Sequence, residues 1–247
     1  MSAIFDPYAR LRPATPARIG LGRAGDSLPT SALLEFQLAH ARARDAVHGM
    51  LDAGALAAAL PLPSLFVQSQ APDISTFLRR PDLGRRLDAA SREMLTGQGC
   101  DVAFVVADGL SAAAVQAQAA PLVAACLPGL AGLTLGPIVI VRHGRVAIGD
   151  EIGAALGAKV VAVLIGERPG LSVADSLGVY LTYGPQLGRR DSERNCISNI
   201  HGQGGLSVEA AAEKLVWLIR AALERGLTGV GLKEEAGALL AITPNRP

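Results

Sequence analysis

The chain has few aromatic and charged residues, which make up 4% and 18% of its 247 positions. Half of the residues are hydrophobic, so a substantial core can form, but Ala and Gly must supply much of its packing. The length suits one large α/β domain, alone or with a smaller segment. We interpret residues 1–97 as a leader and helical N-terminal segment, and residues 98–247 as an α/β domain that carries the ligand site.

Clustered positive charge is also lacking. The formal net charge is +1, and the basic residues form only short pairs such as Arg79-Arg80 and Arg85-Arg86. Binding driven by counterion release needs clustered Lys and Arg, so a nucleic-acid partner is not expected. Low net charge with high apolar content is typical of a subunit that buries surface in an assembly.

Cysteine is scarce, and the sequence has no secretory or membrane signal. Cys100, Cys126 and Cys196 are far apart and fit neither a zinc spacing nor a disulfide framework, which favours a reducing, cytoplasmic setting. We find no run of 18 apolar residues and therefore expect no membrane-spanning segment. A secretory signal would have an apolar central region, and the N-terminus of this sequence has none. It is rich in Arg and interrupted by Pro, so it is a candidate signal that directs the protein to a compartment or to a partner.

Motifs for self-sufficient catalysis are missing as well. No serine lies in a G-x-S-x-G elbow, the four histidines are not spaced as metal ligands, and no phosphate-binding Walker loop occurs. We therefore assign no catalytic residue and no metal ligand. The glycines at 20–25 match a dinucleotide fingerprint, but a strand should precede it and a helix should open within it. A nicotinamide oxidoreductase built on this loop remains an alternative, as does a non-catalytic α/β small-molecule-binding or scaffold subunit.

An α/β rhythm begins after residue 97. Apolar runs at 101–107, 138–141 and 160–165 are typical of buried parallel strands, and helix-like segments separate them. Two further extended segments cover 176–183 and 195–200. We predict an α/β fold with a doubly wound, Rossmann-like, mostly parallel sheet and a helical N-terminal extension.

Polar and glycine-rich segments follow the strands, where an open α/β sheet binds its ligands. Val146 follows Gly144-Arg145 and is either core or the floor of a large flat ligand. Glu167 comes directly after the strand at 160–165 and is either a solvated turn charge or a hydrogen-bond acceptor. Cys196 belongs to a third polar cluster, with Ser198 and Asn199, and is either a small buried residue or part of a pocket wall. These residues predict three binding loops on one edge of the sheet.

Six ungapped motifs carry a resemblance to a known family. They are LGRAGDSLPT at 21–30, FQLAHARARDAV at 36–47, RPDLGRRL at 80–87, VRHGRVAIGDEIGAALGAKVV at 141–161, GERPGL at 166–171 and CISNIH at 196–201. Together they resemble the small subunit of ethanolamine ammonia-lyase from about residue 21 to the last helix.

The resemblance implies an adenosylcobalamin-dependent enzyme, a carbon–nitrogen lyase that converts ethanolamine to acetaldehyde and ammonia by a radical mechanism. In that family ethanolamine is bound mainly by the large subunit, and cobalamin lies between the two subunits. Both subunits are repeated in a hetero-oligomer. The chain would then be active only with its large subunit. Its location would be the bacterial cytoplasm, with a bacterial microcompartment as a further candidate.

The resemblance also implies which residues hold the cofactor. The family's cobalamin positions fall on Val146, Glu167 and Cys196, one in each polar cluster. The family keeps the cofactor's own base on cobalt, so it implies no cobalt ligand from this chain, and the D-x-H-x-x-G signature of other cobalamin enzymes is missing.

Overall fold

Six strands form one mixed sheet in the residues described by the computed structural model, which are 6–15, 17–97 and 99–233. The strands are β1 (Ser64–Gln68), β2 (Cys100–Ala107), β3 (Ile138–Arg142), β4 (Ala158–Gly166), β5 (Leu177–Tyr183) and β6 (Asn195–Ile200). Their order across the sheet is β1-β3-β2-β4-β5-β6. Neighbours from β1 to β4 are parallel, whereas the β4–β5 and β5–β6 pairs are antiparallel. The α/β prediction is confirmed, with a sheet that is mixed.

The central strands are apolar throughout because both of their faces are covered. In β2, Val102, Phe104 and Val106 belong to the core on one face, and the alternate residues Ala103 and Val105 belong to the core on the other. A strand buried on both faces needs this continuous run of apolar side chains. The run is the reason that the sequence located β2, β3 and β4.

Helices connect the strands along the chain and cover the two faces of the sheet. They are α1 (Thr30–His48), α2 (Ala53–Ala59), α3 (Ile74–Arg79), α4 (Ala89–Met94), α5 (Ala112–Cys126), α6 (Ile148–Leu156) and α7 (Val208–Arg225). α5 and α7 share the core of one face, and α6 packs on the other. The side chain of Ser111 caps α5, and that of Ser207 caps α7. Gly157 and Gly226 end α6 and α7 in the left-handed conformation that glycine adopts without strain.

α5 connects β2 to β3 on one face of the sheet, and α6 connects β3 to β4 on the other. The chain therefore leaves β2 and β3 in opposite directions, which opens a crevice at the carboxyl ends of these strands. Asp108 occupies this point. Its carboxylate accepts hydrogen bonds from the backbone N–H groups of Gly109 (2.9 Å), His143 (3.0 Å) and Gly144 (3.3 Å). Asp108 thereby holds the turn that leads to α6.

One helical stretch of the described residues, Ala112–Leu130, is long and apolar enough to cross a membrane by length and composition. Gln116 and Gln118 interrupt its apolar sequence. In the fold, this stretch contains α5, whose residues Ala114, Val115, Ala119 and Leu122 are fully buried between the sheet and α7. Its apolar character is explained by burial in the protein core.

The N-terminal segment contributes both to the sheet and to the surface. β1 lies before residue 97 but pairs with β3 along its whole length. α1 is mostly exposed, and of its 19 residues only Ala32 is buried. Residues 1–5, 16, 98 and 234–247 lie outside the described residues, and the division at residue 97 stays a prediction.

Candidate functional site

Glu167 is held in place by polar contacts at the end of β4. Its carboxylate accepts a hydrogen bond from the hydroxyl of Ser176 (2.5 Å) and one from the backbone N–H of Asn199 (3.2 Å). A Cβ atom at Gly178 would lie 2.9 Å from its Oε1, so the glycine leaves room for the carboxylate over β5. The alternative of a freely solvated turn charge is therefore wrong, because Glu167 joins the ends of β4, β5 and β6.

Cys196 lies opposite Tyr180 in the β5–β6 pair. The phenol and the thiol lie close enough for each group to affect the pKa of the other. Burial, with the adjacent Cys196 and Glu167, raises the pKa of Tyr180 to about 12. The Cys196 side chain is exposed, yet the surrounding atoms desolvate its thiolate enough to raise the pKa of the thiol. The alternative of a small buried cysteine is therefore wrong for Cys196.

The structure changes one part of the predicted site. The polar cluster with Cys196 forms the strand β6, which confirms the extended segment predicted at 195–200. It is therefore not a third loop at the carboxyl-end edge, and Cys196 lies on the face of the sheet. The interstrand pairing required by β6 fixes this position. Ser198 is exposed on the same strand, and Asn199 interrupts it with a positive φ of 64°.

Val146 lies in the turn between β3 and α6, half-buried against the core on the α6 face. The preceding residue, Arg145, packs its guanidinium over the ring of Phe77, 4.1 Å from the ring centre. Arg168, which follows Glu167, lies close enough for its charge to lower the pKa of Arg145, although burial has the larger effect on that pKa. The turns that carry Val146 and Glu167 are therefore close enough for their charges to interact.

Glu167, Tyr180 and Cys196 thus form one patch on the α6 face, where β5 and β6 extend beyond α6, and the turn with Val146 borders it. We call this set of four residues the open patch. Two cavities, of about 1070 Å³ and 680 Å³, lie elsewhere, and none of the four residues lines either of them. The patch can offer a carboxylate, a phenol, a thiol and an apolar contact to a wide ligand.

A buried ion pair marks the border between α6 and the open patch. Arg194 donates two hydrogen bonds to the carboxylate of Asp150, at 2.6 and 2.7 Å, and both side chains are 2% exposed. Arg194 also donates to the hydroxyl of Thr182 and to the backbone oxygen of Arg189. This network fixes the start of β6 against α6 and so sets the position of Cys196.

Sequence reasoning missed Tyr180, Arg145 and Ser176 as members of this region. Tyr180 was not singled out by its strand, because Thr182 and Tyr183 in β5 also carry hydroxyl groups. Arg145 stood next to Val146 but was read only as part of a motif. Ser176 and Glu167 are nine residues apart, and only the turn of the chain between β4 and β5 brings them together.

The glycine loop at 20–25 does not have the context of a dinucleotide site. Gly20, Gly22 and Gly25 all have positive φ, but a two-residue bridge between Ala24 and Ser27 replaces the required strand. The next helix, α1, begins only at Thr30. The loop is tied instead to the turn after β4, because Arg18 donates to the backbone oxygen of Leu171 (3.0 Å). This geometry does not favour the nicotinamide alternative.

The fold is that of an α/β protein, and the open patch, beside the carboxyl end of β4, is its candidate ligand-binding surface. The family profile described as "Ethanolamine ammonia-lyase light chain (EutC)" matches residues 5–233. The chain is 54% identical over 239 residues to the ethanolamine ammonia-lyase small subunit of Bradyrhizobium diazoefficiens, which covers 93% of this chain and 91% of the relative.

Other relatives give the same result. The small subunit from Rhodopseudomonas palustris is 55% identical over 234 residues, with 92% of this chain and 89% of the relative covered. That from Xanthomonas campestris pv. campestris is 53% identical over 242 residues, with 94% and 89% covered. The chain therefore belongs to the ethanolamine ammonia-lyase small-subunit family, and the resemblance seen in the six motifs is confirmed.

Proposed function

We propose that the chain is the small subunit of an adenosylcobalamin-dependent ammonia-lyase that converts ethanolamine to acetaldehyde and ammonia. Its role is to hold one side of the cobalamin at the interface with a large subunit. Ethanolamine is bound mainly by that large subunit. The observation that carries the proposal is the open patch. Glu167 and Cys196, from distant parts of the chain, meet on an uncovered sheet face next to the turn that carries Val146.

The residues of the open patch fit this cofactor. Cobalamin is a wide disc whose edge carries amide groups, and amide N–H groups donate to carboxylates such as that of Glu167. Ser176 and Asn199 already occupy part of that carboxylate, which fixes its direction before the ligand arrives. The exposed thiol of Cys196 and the half-buried side chain of Val146 supply contacts of low polarity. Several dispersed contacts suit a disc better than a single tight pocket.

Bound adenosylcobalamin supplies the radical chemistry, and the protein supplies binding and orientation. Within this division of labour, the patch residues of this chain act as positioning groups. None of them forms the nucleophile–base pair that a hydrolase needs. The ring nitrogens of His201 are both engaged, Nε2 with the side-chain oxygen of Asn199 and Nδ1 with the backbone N–H of Gln203, so this histidine has a structural role.

A partner subunit explains two further features of the surface. The open patch lies on a face and not in a cavity, so a second chain is needed to enclose a ligand there. α1 also exposes Leu33, Leu34, Phe36 and Leu38, although apolar side chains of this size are usually covered. We propose that the large subunit covers both surfaces in a hetero-oligomer, and that the small subunit alone is inactive.

The remaining features of the proposal concern fold and location. The sheet with α5, α6 and α7 would be the doubly wound, Rossmann-like cobalamin-binding unit, and residues 1–97 its leader and helical extension. The chain would act in ethanolamine degradation in the bacterial cytoplasm, with a bacterial microcompartment as a further candidate. No nucleic acid and no membrane would take part.

The test compares the purified small subunit, a purified large subunit and their mixture, each incubated with adenosylcobalamin. We expect acetaldehyde and ammonia from ethanolamine only in the mixture, and a corrinoid absorption spectrum that elutes with the complex on gel filtration. Turnover by the lone chain would contradict the division between the subunits. A complex without corrinoid would favour the scaffold alternative.

A further inference from the structure

Arg145 is a half-buried cation without a carboxylate partner among the described residues. Its guanidinium lies over the ring of Phe77 and donates one hydrogen bond, from Nη2 to the backbone oxygen of Phe77 (3.2 Å). Its Nε is buried and has no partner in the described part of the chain. Removing a guanidinium from water without satisfying its donors is costly. The Nε of Arg194 is also buried without a hydrogen bond, but Arg194 has the carboxylate of Asp150 to offset that cost, whereas Arg145 has none in the described residues.

Arg85 and Arg168 bring two more positive charges to the same place. The backbone N–H of Arg145 donates to the oxygen of Gly84 (2.7 Å), which places the neighbouring Arg85 beside it. A Cβ atom at Gly84 would lie 2.8 Å from Cγ of Arg145, so the two segments are in close contact. The charges of both Arg168 and Arg85 lower the pKa of Arg145, after the larger effect of burial. Three like charges therefore converge where none has an ion-pair partner among the described residues.

Other arginines in the described residues show how this chain treats a cation that serves structure. Arg194 is paired with Asp150 through two hydrogen bonds, and Arg92 is paired with Glu151 at 2.6 Å. Even the exposed Arg80 is paired with Asp82. The described arginines that are buried or half-buried are Arg145, Arg189 and Arg194, and Arg145 alone among them has no carboxylate partner in the described residues, which favours a counter-charge from outside the chain.

We propose that Arg145, Arg85 and Arg168 form an anion site for a phosphate group, with the half-buried Arg145 at its base and the two exposed arginines at its rim. The inference rests on the proposed function, under which the phosphate is the phosphodiester in the nucleotide tail of cobalamin. Arg145 precedes Val146 and Arg168 follows Glu167, so the anion site adjoins the open patch. A phosphodiester matches the site because several guanidinium groups can share its oxygens.

The experiment measures the affinity of the reconstituted two-subunit complex for two corrinoids by absorption titration. Hydroxocobalamin carries the phosphodiester, and cobinamide has the same corrin ring but lacks the nucleotide tail. We expect Arg145→Ala to weaken cobalamin binding by about tenfold or more, the loss typical of a charge-assisted hydrogen bond, and to leave cobinamide binding unchanged. Arg168→Ala, at an exposed position, should show the same selectivity with a loss of about threefold.

Arg142→Ala is the matched control, since Arg142 is an exposed arginine at the end of β3 outside the cluster. It should leave the affinity for both corrinoids unchanged. Circular dichroism and the gel-filtration profile of the complex verify folding and assembly, and Arg168→Ala keeps the test valid if Arg145→Ala does not fold.

The possible results separate the two proposals. If the wild-type complex binds neither corrinoid, the proposed function fails. Suppose that the wild-type complex binds cobalamin. If Arg145→Ala and Arg168→Ala then lower the affinities for both corrinoids equally, or leave both affinities unchanged, the phosphate site is wrong. Loss of association with the large subunit while corrinoid selectivity is unchanged would assign the cluster to an acidic segment of the partner and would also overturn the phosphate site.

Discussion

The two faces of β5 and β6 have opposite characters. On one face, α7 covers the strands, and Leu177, Val179, Leu181, Ile197 and Ile200 are all buried. On the other face α6 stops short of these strands, so Cys196 and Ser198 are exposed and Tyr180 is half-buried. Both faces are built from the same alternating sequence, and they differ only in what covers them.

This difference separates residues that hold the fold from residues that remain available to a ligand. Side chains on the covered face are packed at the density of a protein core, where a change of volume lowers stability. Those on the open face have few neighbours in this chain, so their substitution should affect binding more than folding. The buried pair of Arg194 and Asp150 stands at the border and belongs, by its burial, with the first group.

Asp150→Ala tests that border and has the largest expected effect. It would leave the charge of Arg194 buried without its partner, which should lower the free energy of unfolding by about 3–5 kcal/mol. Urea denaturation of the small subunit measures the change. The control is Asp191→Ala, because Asp191 is 94% exposed and lies 3.6 Å from Nε of the same arginine. Equal stability of the two variants would show that the pair of Arg194 and Asp150 stabilises the fold no more than a surface ion pair does.

Leu181→Ala tests the covered face. Leu181 is 1% exposed, so its truncation should cost about 2–5 kcal/mol through lost burial and a residual cavity. Ser198→Ala, on the open face of β6, should change the free energy of unfolding by no more than about 0.5 kcal/mol. Similar losses for the two variants in urea denaturation would contradict the contrast between the faces.

Glu167→Gln tests the open face through binding. The substitution removes the charge but keeps an oxygen that can accept from Ser176 or Asn199, so the fold should be preserved. We expect the cobalamin affinity of the two-subunit complex to fall by about tenfold, the effect of losing a charge-assisted hydrogen bond. Absorption titration gives the affinity, and Glu209→Gln, in the first turn of α7, serves as the control. An unchanged affinity would remove Glu167 from the site.

Tyr180→Phe has the smallest expected effect and depends on pH. The pKa of Tyr180 is raised to about 12, mainly by burial. A tyrosine in an unfolded chain has a pKa of about 10. Because the folded-state pKa is the higher one, Tyr180 contributes stability that is complete below about pH 10 and is lost as the pH rises to about 12.

The wild-type chain should therefore lose more stability than Tyr180→Phe across this pH window. Urea midpoints at a series of pH values measure both slopes, and the partial exposure of Tyr180 keeps the difference small. Parallel slopes would show that the phenol is as well solvated in the folded chain as in the unfolded one.

Much of the fold could be read from local patterns. Apolar runs located β2, β3 and β4, and Gly157 and Gly226 stand in the sequence where α6 and α7 end. The direction of β5 was harder, although a signal was present. A parallel connection needs about a dozen residues and usually a helix, whereas the segment between β4 and β5 holds only residues 167–176 and no helix.

The candidate site divides in the same way. Glu167 could be placed from sequence because it directly follows an apolar strand. Its contact with the backbone of Asn199, 32 residues later, could not, since it depends on β6 reaching the same edge. The stacking of Arg145 on Phe77 joins residues 68 positions apart, and no local pattern announces it.

The sequence by itself determined the apolar strands, the helix ends and the family, because these depend on side-chain type, spacing and ungapped motifs. Tertiary structure alone decided which face of β5 and β6 stays open and which arginines find a carboxylate. Asp150 and Arg194 are 44 residues apart, and their pairing depends on α6 crossing the sheet beside β6. Long-range contacts of this kind follow from packing of whole elements, so they set the open patch and the arginine cluster beside it.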